Sequence, residues 1–563
     1  MLASTSRLSA RTARKHLFAT STRQYASSST VEHSDVVIVG GGPAGLALAG
    51  ALNSSKLVRD NMRVTLIEAG DLSKTKAWQM SPDAYSNRVS SITNASRDFL
   101  SNIGAWSHVD ETRTGSVEEM QVWDGVSDAR ITFSAADMTV GGQSIGELSR
   151  LTENLNLQRA LLRQLESSSS FELVDKVKVE SITTDNREGG AWPVLHLSDG
   201  RAIRARLLVG ADGFNSPVRS YAGIESYGWA YDTHGVVATL QHAPRSTYGP
   251  RNTIAYQRFL PTGPIAFLPL SETASTMVWS TRPHLASALK AVDPSVLVNM
   301  VNAAFRLPEV SMRYLHDRLL EAHSAGSPLT SDQLQEELSF REMSHSISPY
   351  SPLSSLSTQN SEGIPLEGAE SFPPLVKAIQ PGTVASFPLR FSHADSYIGE
   401  GRGARTVLLG DAAHTTHPLA GQGLNLGLAD AEALAQCIET SLSRGGDIGS
   451  YTSLLPYARA RYFENHKMLS AVDKLHKLYS TTAEPVVWAR SVGLEVLNEL
   501  DTIKTALMVS AGSQRLGGNP GAVGLGFAAQ GMEGLARSFS NVKIAGDIIS
   551  GMVQAGLQQV LRK

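Results

Sequence analysis

Gly40, Gly42 and Gly45 fall at G-x-G-x-x-G spacing between the apolar, β-branched run Asp35-Val36-Val37-Ile38-Val39 and an Ala- and Leu-rich stretch from Pro43 to Leu52. Strand, tight turn and helix in that order constrain this chain more than any other feature in it. The first glycine allows the turn, the second lets backbone approach a pyrophosphate, and the third lets the helix pack closely on the strand. N–H groups at the helix start face the anion. A second strand, Val64-Thr65-Leu66-Ile67, ends on Glu68, which is placed to accept from a ribose hydroxyl and completes a β-α-β unit. A purely structural turn beside a solvated glutamate is the bland alternative, and the turn alone does not choose between NAD and FAD.

Two later segments repeat the pattern of an apolar strand running into Gly and Asp. They are Leu207-Leu208-Val209-Gly210-Ala211-Asp212-Gly213 and Thr406-Val407-Leu408-Leu409-Gly410-Asp411, and they read as neighbouring parallel strands of one sheet. After the second come Ala412-Ala413-His414 and Pro418-Leu419-Ala420-Gly421-Gln422-Gly423-Leu424-Asn425. Asp411 is an acceptor suited to ribityl hydroxyls. The Gly421 to Asn425 turn opens a helix whose first N–H groups can meet the N1/O2 edge of a flavin, an edge that turns anionic on reduction. That combination selects FAD.

Between these motifs the texture changes. Gly235–Leu240, Ile265–Leu270 and Thr276–Ser280 read as strands of a second, antiparallel or mixed sheet, taken as a substrate domain. The expected fold is α/β: a Rossmann-like FAD-binding domain (34–220 and 396–480), an interleaved mixed-sheet substrate domain (221–395) and a C-terminal helical region (481–563). From about Ala325 to Glu370 the chain is rich in Ser, Pro and Gln, which suggests a long mobile insertion. A second helix is expected over Tyr451 to Leu478. Near the C-terminus Ile549, Val553, Leu557, Val560 and Leu561 share one helical face, suited to the chain's own core, a partner or a membrane.

Composition narrows the function classes. A formal net charge of -3 with scattered Lys and Arg offers no basic stripe for nucleic acid. Cys437 is the single cysteine, so redox chemistry must come from a bound cofactor. Residues 1–25 carry Arg7, Arg11, Arg14, Lys15 and Arg23 among Ser, Thr and Ala with no acidic residue, the composition of a mitochondrial transit peptide cleaved after Tyr25. No apolar run is long enough for a transmembrane helix. His414 and His417 lack a nearby carboxylate in sequence and read as structural, with no metal site. Cys437 reads as helix packing, and Trp229 and Trp279 as core aromatics that could instead wall a substrate pocket.

Taken together, Gly40-x-Gly42-x-x-Gly45, Asp212-Gly213 and Gly410-Asp411 resemble the class A flavoprotein monooxygenases of the aromatic-hydroxylase type. His417 to Gly427 is similar to the signature of the ubiquinone-biosynthesis hydroxylase branch, and Gln257-Arg258-Phe259-Leu260-Pro261-Thr262-Gly263-Pro264 resembles its mitochondrial type. The likeness runs from about Ser34 to Leu478. It implies that Gly40, Gly42, Gly45 and Glu68 hold the ADP half of FAD, with Arg88 near the flavin and its phosphates. Asn154 or Gln158 would lie against the cofactor, the choice being open. Asp212 would sit beside it, and Asp411, after Gly410, would bind the ribityl chain. Pro418 would face the ring, with Gly421, Gly423, Leu424 and Asn425 at its pyrimidine edge. The resemblance further implies O2 uptake by reduced flavin as a C4a-hydroperoxide and hydroxylation at C5 of a 4-hydroxy-3-polyprenylbenzoate or polyprenylphenol, with no side-chain nucleophile. Ferredoxin and its reductase would supply electrons, within a biosynthetic complex held peripherally on the matrix face of the mitochondrial inner membrane. An NADPH-dependent hydroxylase of soluble phenols and a non-catalytic FAD-stabilised subunit are the rival readings.

Overall fold

The computed structural model describes residues 31–499 apart from 138, 141–142, 167–170, 186–190, 245–250, 345–370 and 419–420. Residues 1–25 and the apolar face from Ile549 to Leu561 lie outside the described residues.

The glycine turn belongs to a seven-stranded sheet. Glu32–Val39 lies between Val64–Ile67 and Ala202–Gly210, and Phe171–Val174 and Thr406–Leu408 extend the parallel set on either side. Trp192–Leu197 and Val179–Asp185 complete it in antiparallel fashion. Both faces of the parallel strands are apolar and covered, which explains their uninterrupted Val, Ile and Leu runs. Val36, Val37, Ile38, Leu207, Leu208 and Val209 are wholly buried, packed with Leu46 and Leu48 of the helix Pro43–Ser54 and Leu428 and Leu434 of the helix Gly423–Ser443. The two Gly-Asp strands pair with each other in parallel, as their repeated pattern suggests.

The second sheet has nine strands. Ser226–His242 and Ala385–Ala394 run side by side, and Ala274–Thr281, Gly263–Pro269 and Ile254–Leu260 follow in antiparallel order. Its far edge is made by Glu119–Asp124 and Arg130–Ser134, which come from the span that reads by sequence as FAD-binding domain. The pairing of Ile254–Leu260 with Glu119–Asp124 is the parallel step that makes this sheet mixed. The helices Pro283–Ala291, Pro294–Arg306 and Glu309–Ser324 bury Leu289, Met300, Phe305 and Leu315 against Trp279, Met277 and Phe267. Arg258, from the Gln257–Pro264 motif, is buried and structural. Its guanidinium donates to the carbonyls of Ala304 and Leu307 at 3.0 and 2.8 Å, satisfying the end of the helix Pro294–Arg306.

One expectation is corrected in its first part. The Ser-, Pro- and Gln-rich stretch from about Ala325 to Glu370 carries a helix, Ser331–Ser344, whose Leu334 and Leu338 are buried in the second sheet's core, while 345–370 lie outside the described residues. A capping box starts it: Gln333 N–H donates to Thr330 Oγ1 at 3.3 Å, and Thr330 N–H to Gln333 Oε1 at 3.1 Å. The chain closes with the long helix Tyr451–Tyr479 and the helix Glu484–Glu499. Arg490 of the latter forms a fully buried two-pronged pair with Asp124 at 2.7 and 3.0 Å, tying the C-terminal helices to the second sheet's edge.

Candidate flavin site

Four neighbouring parallel strands end together, and each delivers part of the site beyond its carboxyl end. Val39 leads to Gly40, Ile67 to Glu68, Gly210 to Asp212 and Leu408 to Gly410 and Asp411. Ligands of open α/β sheets bind in this crevice. The three glycines of the turn are separated by what surrounds them. A Cβ on Gly40, whose φ is +114°, would stand 2.2 Å from the Ala211 carbonyl oxygen, and one on Gly45 would stand 2.1 Å from the Gly40 carbonyl oxygen. A Cβ on Gly42 would meet no described atom within 4 Å. The first and third are therefore required by the protein's own packing. The second leaves open space at a helix start with no side-chain cap, where backbone can meet a phosphate.

Glu68 is held at the turn: its carboxylate accepts from Gly41 N–H at 2.5 Å and Gly70 N–H at 2.6 Å. Each oxygen keeps a further lone pair for a hydroxyl. Asn154 and Gln158 stand one turn apart on the helix Asn154–Glu166. Gln158 reaches the glycine turn, donating to the Gly41 carbonyl at 3.4 Å, while Asn154 Oδ1 accepts from Ser90 Oγ at 2.7 Å. Arg88 is exposed at the start of the strand Val89–Thr93, and its carbonyl accepts from Asn154 N–H at 3.0 Å.

The two later carboxylates share a trait. Asp212 accepts from Val218 N–H at 3.1 Å through Oδ2, whereas its Oδ1 is buried without a partner, and burial pushes its carboxyl up from the usual range. Asp411 is open to solvent, yet the chain packed around it raises its carboxyl. Among the described residues nothing donates to Asp411. Opposite, the helix Gly423–Ser443 begins without a side-chain cap after Gly421, whose φ is +60°, leaving the N–H groups of Gly423, Leu424 and Asn425 at its first turn. The Asn425 side chain is already committed. Its amide donates to the Ser91 carbonyl at 2.7 Å, and its Oδ1 accepts from Thr93 N–H at 3.1 Å, so it fastens the helix start to the strand Val89–Thr93. Pro418 closes the turn by accepting from Gly421 N–H at 2.9 Å.

Open space at Gly42, an orphaned oxygen on Asp212 and an undonated Asp411 fit a phosphate- and polyol-bearing ligand such as FAD. A separate polar cleft of about 720 Å³ shares none of these residues; its Glu147 neutralises Arg97 and Arg150.

Several site-building residues escape a reading of the sequence. Asp430 is wholly buried, accepting from Gly410 N–H at 3.1 Å, His414 Nε2 at 2.6 Å, Arg461 Nε at 2.7 Å and Asn465 Nδ2 at 3.0 Å. Burial alone would raise its carboxyl, but His414 and Arg461 hold it far below the ordinary range. His414 thus does have a carboxylate partner, sixteen residues on, and the pair is structural. Among the described residues no group suited to a metal occurs. Glu153 joins Ser86 N–H to buried Arg113 at 2.5 and 2.7 Å, and so shapes the loop that carries Arg88. Trp279 is core, but Trp229 is 41% exposed and stacks on Phe391 with centroids 4.4 Å apart. Cys437 is half-buried, its thiol donating to the Ser453 carbonyl at 2.7 Å, and packs on the main core.

Known proteins decide the family. Residues 33–325 and 381–453 match the FAD binding domain family. The mitochondrial ubiquinone biosynthesis monooxygenase COQ6 of Saccharomyces cerevisiae is 37% identical over 501 residues, covering 88% of this chain and 96% of the relative. The chain belongs to the ubiquinone biosynthesis monooxygenases. Within that family the Homo sapiens enzyme is 35% identical over 499 residues, 87% of this chain and 94% of its own. The fold recurs in p-nitrophenol 4-monooxygenase PnpA from Pseudomonas putida (TM-score 0.57, 16% identity, 86% of this chain and 100% of that one). It recurs also in PqsL from Pseudomonas aeruginosa (TM-score 0.54, 20% identity, 82% and 99%). The ubiquinone biosynthesis monooxygenase described here is accordingly an FAD-dependent oxidoreductase with the aromatic-hydroxylase fold.

Proposed function

We propose that this monooxygenase transfers one atom of O2 to ring position C5 of a 4-hydroxy-3-polyprenylbenzoate or a related polyprenylphenol. The observation that carries the reading is the crevice itself, where Glu68, Asp212 and Asp411 converge at parallel strand ends around the open face of Gly42. When bound, FAD supplies the activation of O2. The chain's part is to bind, orient and exclude water. Gly40, Gly42, Gly45 and Glu68 hold the ADP half, with Arg88 near the phosphates and Gln158 against the cofactor from the neighbouring helix. Asp212 and Asp411 accept from its hydroxyls. The N–H groups of Gly423, Leu424 and Asn425 stand at the pyrimidine edge, where helix-start donors favour the reduced, anionic form. Pro418 faces the ring. No side-chain nucleophile takes part.

Electrons arrive through ferredoxin and its reductase, and the enzyme works as a peripheral member of a biosynthetic complex on the matrix face of the mitochondrial inner membrane, after loss of residues 1–25. No helix of the described residues is long and apolar enough to cross a membrane, which accords with peripheral attachment. The test is the visible spectrum of the purified protein, followed by product analysis with a prenylated 4-hydroxybenzoate and O2. A flavin spectrum is expected from the purified protein itself, and a C5-hydroxylated product only when ferredoxin and its reductase accompany NADPH. Rapid reduction by NADPH alone would refute the electron route, and absence of ring hydroxylation with the full system would refute the substrate assignment.

A further inference from the structure

His417, the residue before Pro418, is fully buried in a cluster drawn from three elements. Tyr231 of the strand Ser226–His242 sets its ring edge-on to His417 at 5.1 Å and to His476 at 4.9 Å. His417 and His476 lie 4.8 Å apart at 34°. Tyr231 is fixed in turn by donating its hydroxyl to Asp473 Oδ1 at 3.0 Å, and Asp473 Oδ2 pairs with Lys477 at 2.7 Å. Asp473, His476 and Lys477 all come from the long helix Tyr451–Tyr479.

That helix also grips the other end of the segment. Tyr457 donates to the Leu408 carbonyl at 2.6 Å, and Arg461 and Asn465 reach Asp430, which holds Gly410. About two turns separate Asn465 from Asp473. One rigid helix therefore clasps the chain before Asp411 and again at His417, and Tyr231 joins the second clasp to the substrate-side sheet. A phenol hydroxyl buried beside a carboxylate is a costly arrangement unless the bond is made, so the clasp has one low-energy geometry.

We infer that Tyr231, Asp473 and His476 are positioning residues that fix the His417–Pro418 segment over the flavin. This rests on the reading of Pro418 as the residue facing the ring. Deleting the Tyr231 hydroxyl frees the segment while leaving the ADP-binding turn, more than one element away, intact. The effect then falls on turnover and on the flavin's surroundings rather than on FAD retention.

The test compares full-length Y231F, D473A and D473N proteins loaded with FAD. Expected for Y231F and D473A is a roughly tenfold lower kcat with KM within about threefold, together with a blurred shoulder in the bound flavin's visible band. These correspond to the loss of one charge-assisted hydrogen bond. D473N keeps an acceptor for Tyr231 and is expected to recover most of the turnover and the resolved shoulder relative to D473A. If Y231F fails to fold, the comparison of D473A with D473N decides alone. A D473N protein as impaired as D473A, or variants with wild-type spectrum and turnover, would overturn the inference. Wild-type protein that takes up no flavin would instead overturn the reading of the site.

Discussion

Replacing Asp430 by asparagine removes one charge and leaves the volume almost unchanged, so the outcome isolates what that charge holds. Asp430 accepts four hydrogen bonds, from Gly410, His414, Arg461 and Asn465. An asparagine oxygen can take two of them, and its NH2 group must face donors. Two charge-assisted bonds are lost at about 1.5–3 kcal/mol each, and the mostly buried Arg461 guanidinium is left uncompensated. Breaking a buried pair by removing one partner typically costs about 3–5 kcal/mol, so D430N should lose about 4 kcal/mol. Because Gly410 N–H loses its anchor, FAD should also bind about tenfold more weakly, the equivalent of one such hydrogen bond.

The assay is urea unfolding of D430N, R461M and the double variant, read by intrinsic fluorescence and by release of flavin. Each single variant leaves the other group buried without its partner, so the double variant should cost less than the sum, with a coupling of about 2 kcal/mol or more. Costs that add within about 0.5 kcal/mol would refute the account. The sign with pH follows from the depressed carboxyl: Asp430 contributes its stability at every pH above its unfolded value near 3.9, and loses it only as pH falls through the folded one.

Gly45→Ala should abolish soluble protein, since its Cβ would stand 2.1 Å from the Gly40 carbonyl oxygen, whereas Gly42→Ala should leave the melting temperature of the flavin-free protein unchanged yet weaken FAD at least about tenfold, checked by melting curves and by flavin titration. Burial holds the His316 and His393 imidazoles down to about 4, so both stay neutral in the fold. Stability is then full above the unfolded histidine value near 6.5 and falls as pH drops toward 4, by up to about 1.4 kcal/mol per pH unit for each. His316→Leu should flatten that slope by one histidine's share in a series of unfolding curves from pH 4 to 8, and an unchanged slope would count against it.

What the sequence discloses is what local pattern controls. The strand Val64–Ile67 and the helix over Tyr451 to Leu478 are read within a residue of where they fall, because apolar runs and periodicity are written in consecutive residues. Thr330 and Gln333 are also a local signal, a capping box, but the Ser- and Pro-rich surroundings mask it. Pairings across the fold are different in kind. Glu119–Asp124 joins the second sheet through Ile254–Leu260, more than a hundred residues later, and nothing in either strand names its neighbour. His414 reads in sequence as lacking a carboxylate for the same reason: Asp430 lies on another element and meets it only after the helix Gly423–Ser443 packs. Asn425 is read correctly as part of the helix start, yet its side chain serves the backbone of Ser91 and Thr93, partners more than three hundred positions away.

The carboxylates around the Gly410 turn show how one residue type is divided between scaffold and site. Asp430 meets four donors from its own chain, so its charge is fully engaged and its carboxyl is driven down. Asp212 is largely enclosed as well, with Val218 N–H on its Oδ2 and the Ser216 hydroxyl beside it while its Oδ1 is left unmatched; Asp411 is open to solvent and receives no hydrogen bond from the chain among the described residues. A buried oxygen without a donor, as at Asp212 Oδ1, is costly, and it persists in a fold when a ligand supplies one. On the function proposed above, FAD would bring hydroxyl donors to this end of the sheet. Binding it would satisfy both carboxylates at once and draw them back toward ordinary acidity, so FAD uptake should release protons at a pH near the raised values. Asp430, already satisfied, should titrate identically with and without the cofactor.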